Sequence, residues 1–225
     1  MINNVEFNAR QKDFDWFSPK DVLIIGAGGI GSWLALSLSR ANNKILLYDF
    51  DRIDAHNIGG QLFSKNDIGR LKTDAIRKFI SEYSDSYVNT YSRYDEAGLT
   101  AQYTFLAVDN MEVRKLAVEK WFKMYGDYDD KILIDGRMEG EQGIIYIIKN
   151  GDDYNRWMAE WFSDDEIQDG LCTMRATSFN GMMIAANMTA VFNNYIANKA
   201  TGMDIREVPY KIEYGFQGLI YDIIR

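Results

Sequence analysis

Gly26, Gly28 and Gly31 in "IIGAGGIGSW" complete the pattern G-x-G-x-x-G between an apolar run and residues at helical spacing. A turn of this kind lets backbone N–H groups approach a phosphate, and the helix behind it points its N-terminus at the negative charge. Asp49 follows 18 residues beyond Gly31, where a carboxylate accepts hydrogen bonds from ribose hydroxyls. To this point NAD and ATP serve equally well, and an NAD-binding oxidoreductase stays open as an alternative. Asp51, Asn57, Gln61, Lys72 and Asp109 weigh between them. Hydride transfer asks for an oriented nicotinamide and a proton donor, and it has no use for this set. Cleavage of ATP between its α- and β-phosphates does. Lysine neutralises the departing pyrophosphate, amide side chains orient phosphate oxygens, and a strand-end aspartate holds Mg2+ against them.

These residues need a scaffold that delivers them to one place. "DVLIIG" (21–26), "NKILLYDFD" (43–51), "SYVNTYSRYD" (86–95) and "YTFLAVDN" (103–110) read as strands. "GSWLALSLSRA" (31–41), "KTDAIRKFISEYS" (72–84) and "MEVRKLAVEKWFKMYG" (111–126) read as helices between and after them, with an irregular loop over 52–71. That alternation predicts an α/β fold with a Rossmann-like, doubly wound, mostly parallel sheet. "KILIDGRMEGEQGIIYIIKN" (131–150) predicts two further strands, and "KIEYGFQGLIYDII" (211–224) one or two more, so that antiparallel strands extend the sheet in the C-terminal half. Residues 177–202 form a long apolar helix closed by Gly202. The expected organisation is a single domain over residues 1–225: an arm over 1–20 that ends near Pro19, a nucleotide-binding half over 21–126, and a substrate and dimer half over 127–225.

Composition narrows the function further. The chain has 225 residues, 47% of them hydrophobic, and two prolines, which suits one core and no flexible linker. A net charge of -8 speaks against nonspecific attraction to nucleic acid or to an anionic membrane. One cysteine excludes an intramolecular disulfide and a multi-cysteine zinc site, and a single histidine speaks against a histidine-based metal site or a His-dependent triad. No apolar run reaches the ~20 residues of a membrane span, and "MINNVEFNARQKDFDW" lacks a signal-peptide core, so a soluble cytoplasmic protein is expected.

The stretch "IIGAGGIGSWLALSLSRANNKILLYDFDRIDAHNIGGQLFSKNDIGRLKTDAI" (24–76), followed by "AVDNMEVRK" (107–115), resembles the ThiF/MoeB-type, ubiquitin-activating-enzyme-like adenylyltransferases. The matching elements, in order, are G-x-G-G-x-G, D-F-D, Asn then Gln, G-x-x-K and D-N-x-x-x-R. "LIDGRMEGEQ" (133–142) and "CTMRATSFNGMMIAANMTAV" (172–191) match more loosely. The resemblance implies that Asp49 binds the ATP ribose, that Lys72 contacts the phosphates with Asn57 beside it, and that Asp109 holds Mg2+. It implies attack of a carboxylate on the α-phosphate to give an acyl-adenylate and pyrophosphate. In this family the carboxylate is commonly the C-terminal Gly-Gly of a ubiquitin-like or sulfur-carrier protein; other members activate a different carboxylate, such as a tRNA-bound one.

Two departures from the family pattern stand out. Many members carry an arginine between the Asn and the Gln, where this chain has Gly60. That keeps open a catalytically impaired ATP-binding partner subunit. Arg10 in "FNARQ" (7–11) resembles the N-terminal arginine that reaches the partner subunit's ATP, which implies a homodimer. Paired C-x-x-C motifs are absent, so the family's structural zinc is not expected. Cys172 falls where some members place a sulfur-accepting cysteine; a helix N-terminus and Arg175 would favour its thiolate, while a lone cysteine also serves as a small buried hydrophobe. Other residues carry two readings each. Arg114 either orients Asp109 or is solvated, and Asp135, Arg137 and Glu139 either shape a carboxylate channel or form an internal ion-pair network. Trp157 and Trp161 read as core or as cover for a partner site, and His56 as a loop residue or a catalytic base.

Overall fold

The computed structural model describes residues 10–163 and 177–225. The first half alternates β1 (Asp21–Ile25), α1 (Gly31–Ser39), β2 (Lys44–Tyr48), α2 (Lys72–Tyr83), β3 (Val88–Tyr91), β4 (Tyr103–Leu106) and α3 (Met111–Tyr125). The second half adds β5 (Ile132–Glu139), β6 (Gln142–Ile148), α4 (Gly151–Ala159), α5 (Ser178–Thr201), β7 (Lys211–Gly215) and β8 (Ile220–Ile224). All eight strands join one sheet in the order β3-β2-β1-β4-β5-β6-β7-β8. The first five are parallel and the last three antiparallel, as the sequence predicts.

Alternation along the strands builds two cores. Val22 and Ile24 of β1, Ile45 and Leu47 of β2, and Ile132 and Ile134 of β5 face α1, α2 and α5. Leu23, Ile25, Tyr48, Leu106 and Leu133 point the other way and meet Trp121 of α3 and Trp157 of α4. Strands covered on both faces must be apolar at successive positions, which is why "VLII" and "ILLY" read as uninterrupted runs. Helix ends are marked locally. Asn110 accepts the Val113 N–H at 2.8 Å to start α3, and Asn150 accepts that of Asp153 at 2.9 Å to start α4. Gly202, at φ +68°, closes α5 in the left-handed conformation. The acidic segment that sequence left without an element contributes α4, and its Trp157 is fully buried as core.

Register aligns the edge that matters. Tyr48, Ile25, Leu106 and Asp135 pair in one row across β2, β1, β4 and β5. The residues immediately beyond that row are Asp49, Gly26, Ala107 and Gly136. Chain order runs outward from β1 to β2 and β3, then returns to β4 on the other side of β1. The crevice where parallel sheets of this type take their ligands therefore opens above the carboxyl ends of β1 and β4.

Candidate nucleotide-binding site

The glycine turn after β1 is shaped by contacts that admit no side chain. A Cβ on Gly26, whose φ is +99°, would stand 2.5 Å from the Ala107 carbonyl oxygen; one on Gly31 would stand 1.8 Å from the Gly26 oxygen. Gly28 is different, because a Cβ there meets nothing within 4 Å. Its missing side chain leaves open space beside the backbone at the mouth of the crevice.

Asp49 clasps this turn from β2. One carboxylate oxygen accepts the Ala27 N–H at 2.7 Å and the other accepts the Asp51 N–H at 2.8 Å. Burial raises the Asp49 carboxyl above the ordinary value of 3.8, opposed by those two hydrogen bonds and by the charge of Lys72. Lys72 opens α2 with its side chain only 9% exposed, and its ammonium pairs with Asp51 at 2.7 Å. A backbone bond from the Lys72 N–H to the Asp51 carbonyl, at 3.0 Å, fixes the same junction. Asp51 thus stands as the counter-ion of Lys72, a pairing that sequence spacing did not reveal.

The loop between β2 and α2 folds as short turns. Asn57 is buried, and its Oδ1 accepts the Asp54 N–H at 2.9 Å, which commits that oxygen to the turn. Gln61 places a buried Oε1 with no hydrogen-bond partner among the described residues. The Gly60 carbonyl accepts the Trp33 indole N–H from α1 at 3.3 Å, so the position lacking arginine is tied to the helix behind the glycine turn. His56 is exposed on this loop, as a loop residue would be.

Asp109 is exposed just past β4, next to the Asn110 cap. Arg114, one turn into α3, is not solvated. It is buried and donates to Asp135, to the Val108 carbonyl and, at 3.1 Å, to the Gly136 carbonyl. It therefore joins the segment carrying Asp109 to β5. Asp135 is fully buried and also accepts from Arg137 Nε and from the Trp157 indole, each at 3.0 Å. Burial by itself would raise the Asp135 carboxyl; the Arg114 and Arg137 guanidinium groups, with the Trp157 bond, hold it below 3.8 instead. Burial lowers the Arg114 guanidinium, against the opposing pull of Asp135. Asp135 and Arg137 thus form an internal ion-pair network, while Glu139 is exposed beyond them. The Trp161 indole donates to the Met111 carbonyl at 3.1 Å, and Lys115 lies 4.2 Å from its ring.

Three expectations fall elsewhere. Arg10 is exposed on the arm that leads into the amino end of β1, where Lys20 N–H bonds Asn43 Oδ1 at 2.9 Å and Asp15 lies 3.8 Å from Arg206. Those contacts lie at the amino end of β1, and among the described residues Arg10 makes no hydrogen bond or ion pair with the glycine turn. Cys172 and Arg175 lie outside the described residues. No group of three His, Cys, Asp or Glu residues able to hold a metal occurs among the described residues. A single exposed carboxylate, Asp109, suits a Mg2+ that arrives with nucleotide phosphates and keeps its waters, not a dedicated protein cage.

A family model described as the ThiF family matches residues 10–204. A ubiquitin-like modifier-activating enzyme 5 from Drosophila virilis is 29% identical over 102 residues, covering 45% of this chain and 23% of the relative. A tRNA threonylcarbamoyladenosine dehydratase 2 from Saccharomyces cerevisiae is 34% identical over 84 residues, covering 36% of this chain and 19% of the relative. The match spans less than a quarter of either relative's length. Solved structures of Escherichia coli MccB, with ATP and with AMPCPP and MccA, superpose with TM-scores of 0.70 and 0.72. They share 16% identity and cover 98% of this chain and 71% of MccB, a likeness of fold. Among the described residues no helix is long and apolar enough to cross a membrane.

Proposed function

The chain belongs to the ThiF family, and from that premise we propose that it binds Mg-ATP and activates a carboxylate as an acyl-adenylate, releasing pyrophosphate. The observation that carries this reading is the convergence, at the β1–β4 crevice, of the glycine turn, the Asp49 clasp and the buried Lys72–Asp51 pair, with Asp109 across from them. The glycine turn offers backbone N–H groups to the phosphates, and Asp49 offers its remaining lone pairs to the ribose. Lys72, pre-placed by Asp51, neutralises charge on the leaving pyrophosphate. Asn57 and Gln61 orient phosphate oxygens, Asn57 through its amide nitrogen because its oxygen is committed. Asp109 would hold Mg2+, which supplies further charge neutralisation when bound. The attacking carboxylate oxygen forms the new bond to the α-phosphorus, and the α–β bridging oxygen leaves with the bonding pair. No protein nucleophile is required; positioning and charge supply the acceleration.

The carboxylate is read as the C-terminus of a peptide or of a ubiquitin-like or sulfur-carrier protein ending in Gly-Gly, in line with the substrates that the relatives' names carry. A homodimer would bring Arg10 of a second copy to the crevice. ATP–pyrophosphate exchange with peptides and small proteins ending in Gly-Gly tests the reading. Wild type should exchange, and Lys72→Ala should lose about 10²–10³-fold. No exchange with any of them, joined to tight NAD binding, would overturn it. ATP binding with turnover only after a second subunit is added would instead favour the partner reading that Gly60 keeps open.

A further inference from the structure

We propose that Gly181 on α5 is a positioning residue for the nucleotide, acting through direct contact with the glycine turn 150 residues earlier in the chain. The proposal rests on the reading that this turn holds a nucleotide. The first turns of α5 pack against it so closely that a Cβ on Gly181 would lie 2.2 Å from the Gly29 carbonyl oxygen and 3.1 Å from its carbon. The obstacle is backbone, so either the helix or the turn must move to admit even a methyl group. The helix is the firmer of the two. Asn180, fully buried, donates from its amide nitrogen to the Gly140 carbonyl at 2.8 Å and the Gln142 carbonyl at 2.9 Å, and its oxygen accepts from the Tyr214 hydroxyl at 2.7 Å. These bonds pin α5 to the β5–β6 hairpin, and retreat would break them.

Displacement therefore falls on the turn. The Gly29 carbonyl and the Ile30 N–H share one rigid peptide plane, so pushing the oxygen re-aims an amide at the phosphate site. Trp33 Cδ1 would lie 3.5 Å from the added Cβ, an ordinary van der Waals contact, so the strain is confined to the Gly29 peptide. Crowding at Gly181 thus falls on the glycine turn.

Calorimetric titration of Mg-ATP into wild type, Gly181→Ala and Gly202→Ala tests the idea. Gly202 ends the same helix at φ +68° with nothing within 4 Å of an added Cβ, so alanine there strains the backbone without touching the site. Gly181→Ala should weaken binding about tenfold or more, and Gly202→Ala should lower the melting temperature while leaving Kd within about twofold. Hydrogen exchange without nucleotide should quicken at residues 28–31 in Gly181→Ala alone. Wild-type Kd and wild-type exchange in Gly181→Ala would overturn the proposal, as would equal weakening in both variants. If wild type binds no Mg-ATP, the nucleotide reading fails by itself, and exchange at 28–31 still decides whether Gly181 positions the turn. Should Gly181→Ala not fold, wild type supplies the test. Mg-ATP should then slow exchange at residues 181–184 together with the turn, and protection confined to the turn would overturn the proposal.

Discussion

Asp135 sits fully buried between two guanidinium groups, and its charge is what keeps both of them tolerable away from water. Asp135→Asn preserves shape and removes that charge, so at neutral pH it should cost about 3–5 kcal/mol, read from urea midpoints. The pH dependence has a definite sign. The folded carboxyl titrates below its unfolded value of 3.8, so its contribution is present above that pH and lost as pH falls through the folded value. The gap between wild type and Asp135→Asn should therefore narrow from pH 7 toward pH 3, and a constant gap would contradict the network. The sequence offered Asp135 and Arg137 as a possible ion-pair network but separated them from Arg114 and Trp157. Spacing reports neighbours along one element; Arg114 and Trp157 reach Asp135 from two helices packed on the same face of the sheet.

The three glycines after β1 are equivalent in the motif and unequal in the fold. Gly31 packs against the Gly26 backbone at 1.8 Å from an added Cβ, while Gly28 faces open space. Gly31→Ala should force the turn apart and destabilise the protein by more than about 2 kcal/mol. Gly28→Ala should leave thermal stability within about 0.5 kcal/mol of wild type and still weaken Mg-ATP binding, because its methyl group occupies the space a phosphate needs. Melting curves and titration calorimetry separate the two; equal loss of stability in both would show that the turn is packed shut at Gly28. The strand and helix segments themselves were legible because hydrophobic runs and Gly or Asn punctuation are local signals. The helix α4 was not, since "GDDYNRWMA" is short, polar on average and buries only Asp153 and Trp157.

At the level of the whole molecule, the arm carrying Arg10 meets the amino end of β1 through Lys20, while the glycine turn follows the carboxyl end of that strand. The proposed action of Arg10 on the nucleotide is one that crosses a dimer. Mixing Arg10→Ala with Lys72→Ala subunits tests this. Random pairing makes half of the dimers mixed, and each mixed dimer holds one site with both residues intact, so about one quarter of wild-type exchange should return. Failure to recover activity beyond either parent would place Arg10 outside the site.

Sequence by itself determined the α/β class, the antiparallel extension of the sheet, the glycine turn and the order of Asp49, Asn57, Lys72 and Asp109 along the chain, because each depends on contiguous residues or on short, fixed spacings. Tertiary structure alone decided that Asp51 neutralises Lys72, that Arg114 is buried on Asp135 and that Gly181 packs against Gly29. Such contacts join residues as much as 152 positions apart, from Gly29 to Gly181. Their distances follow from strand order and helix packing, which no local pattern of residues encodes.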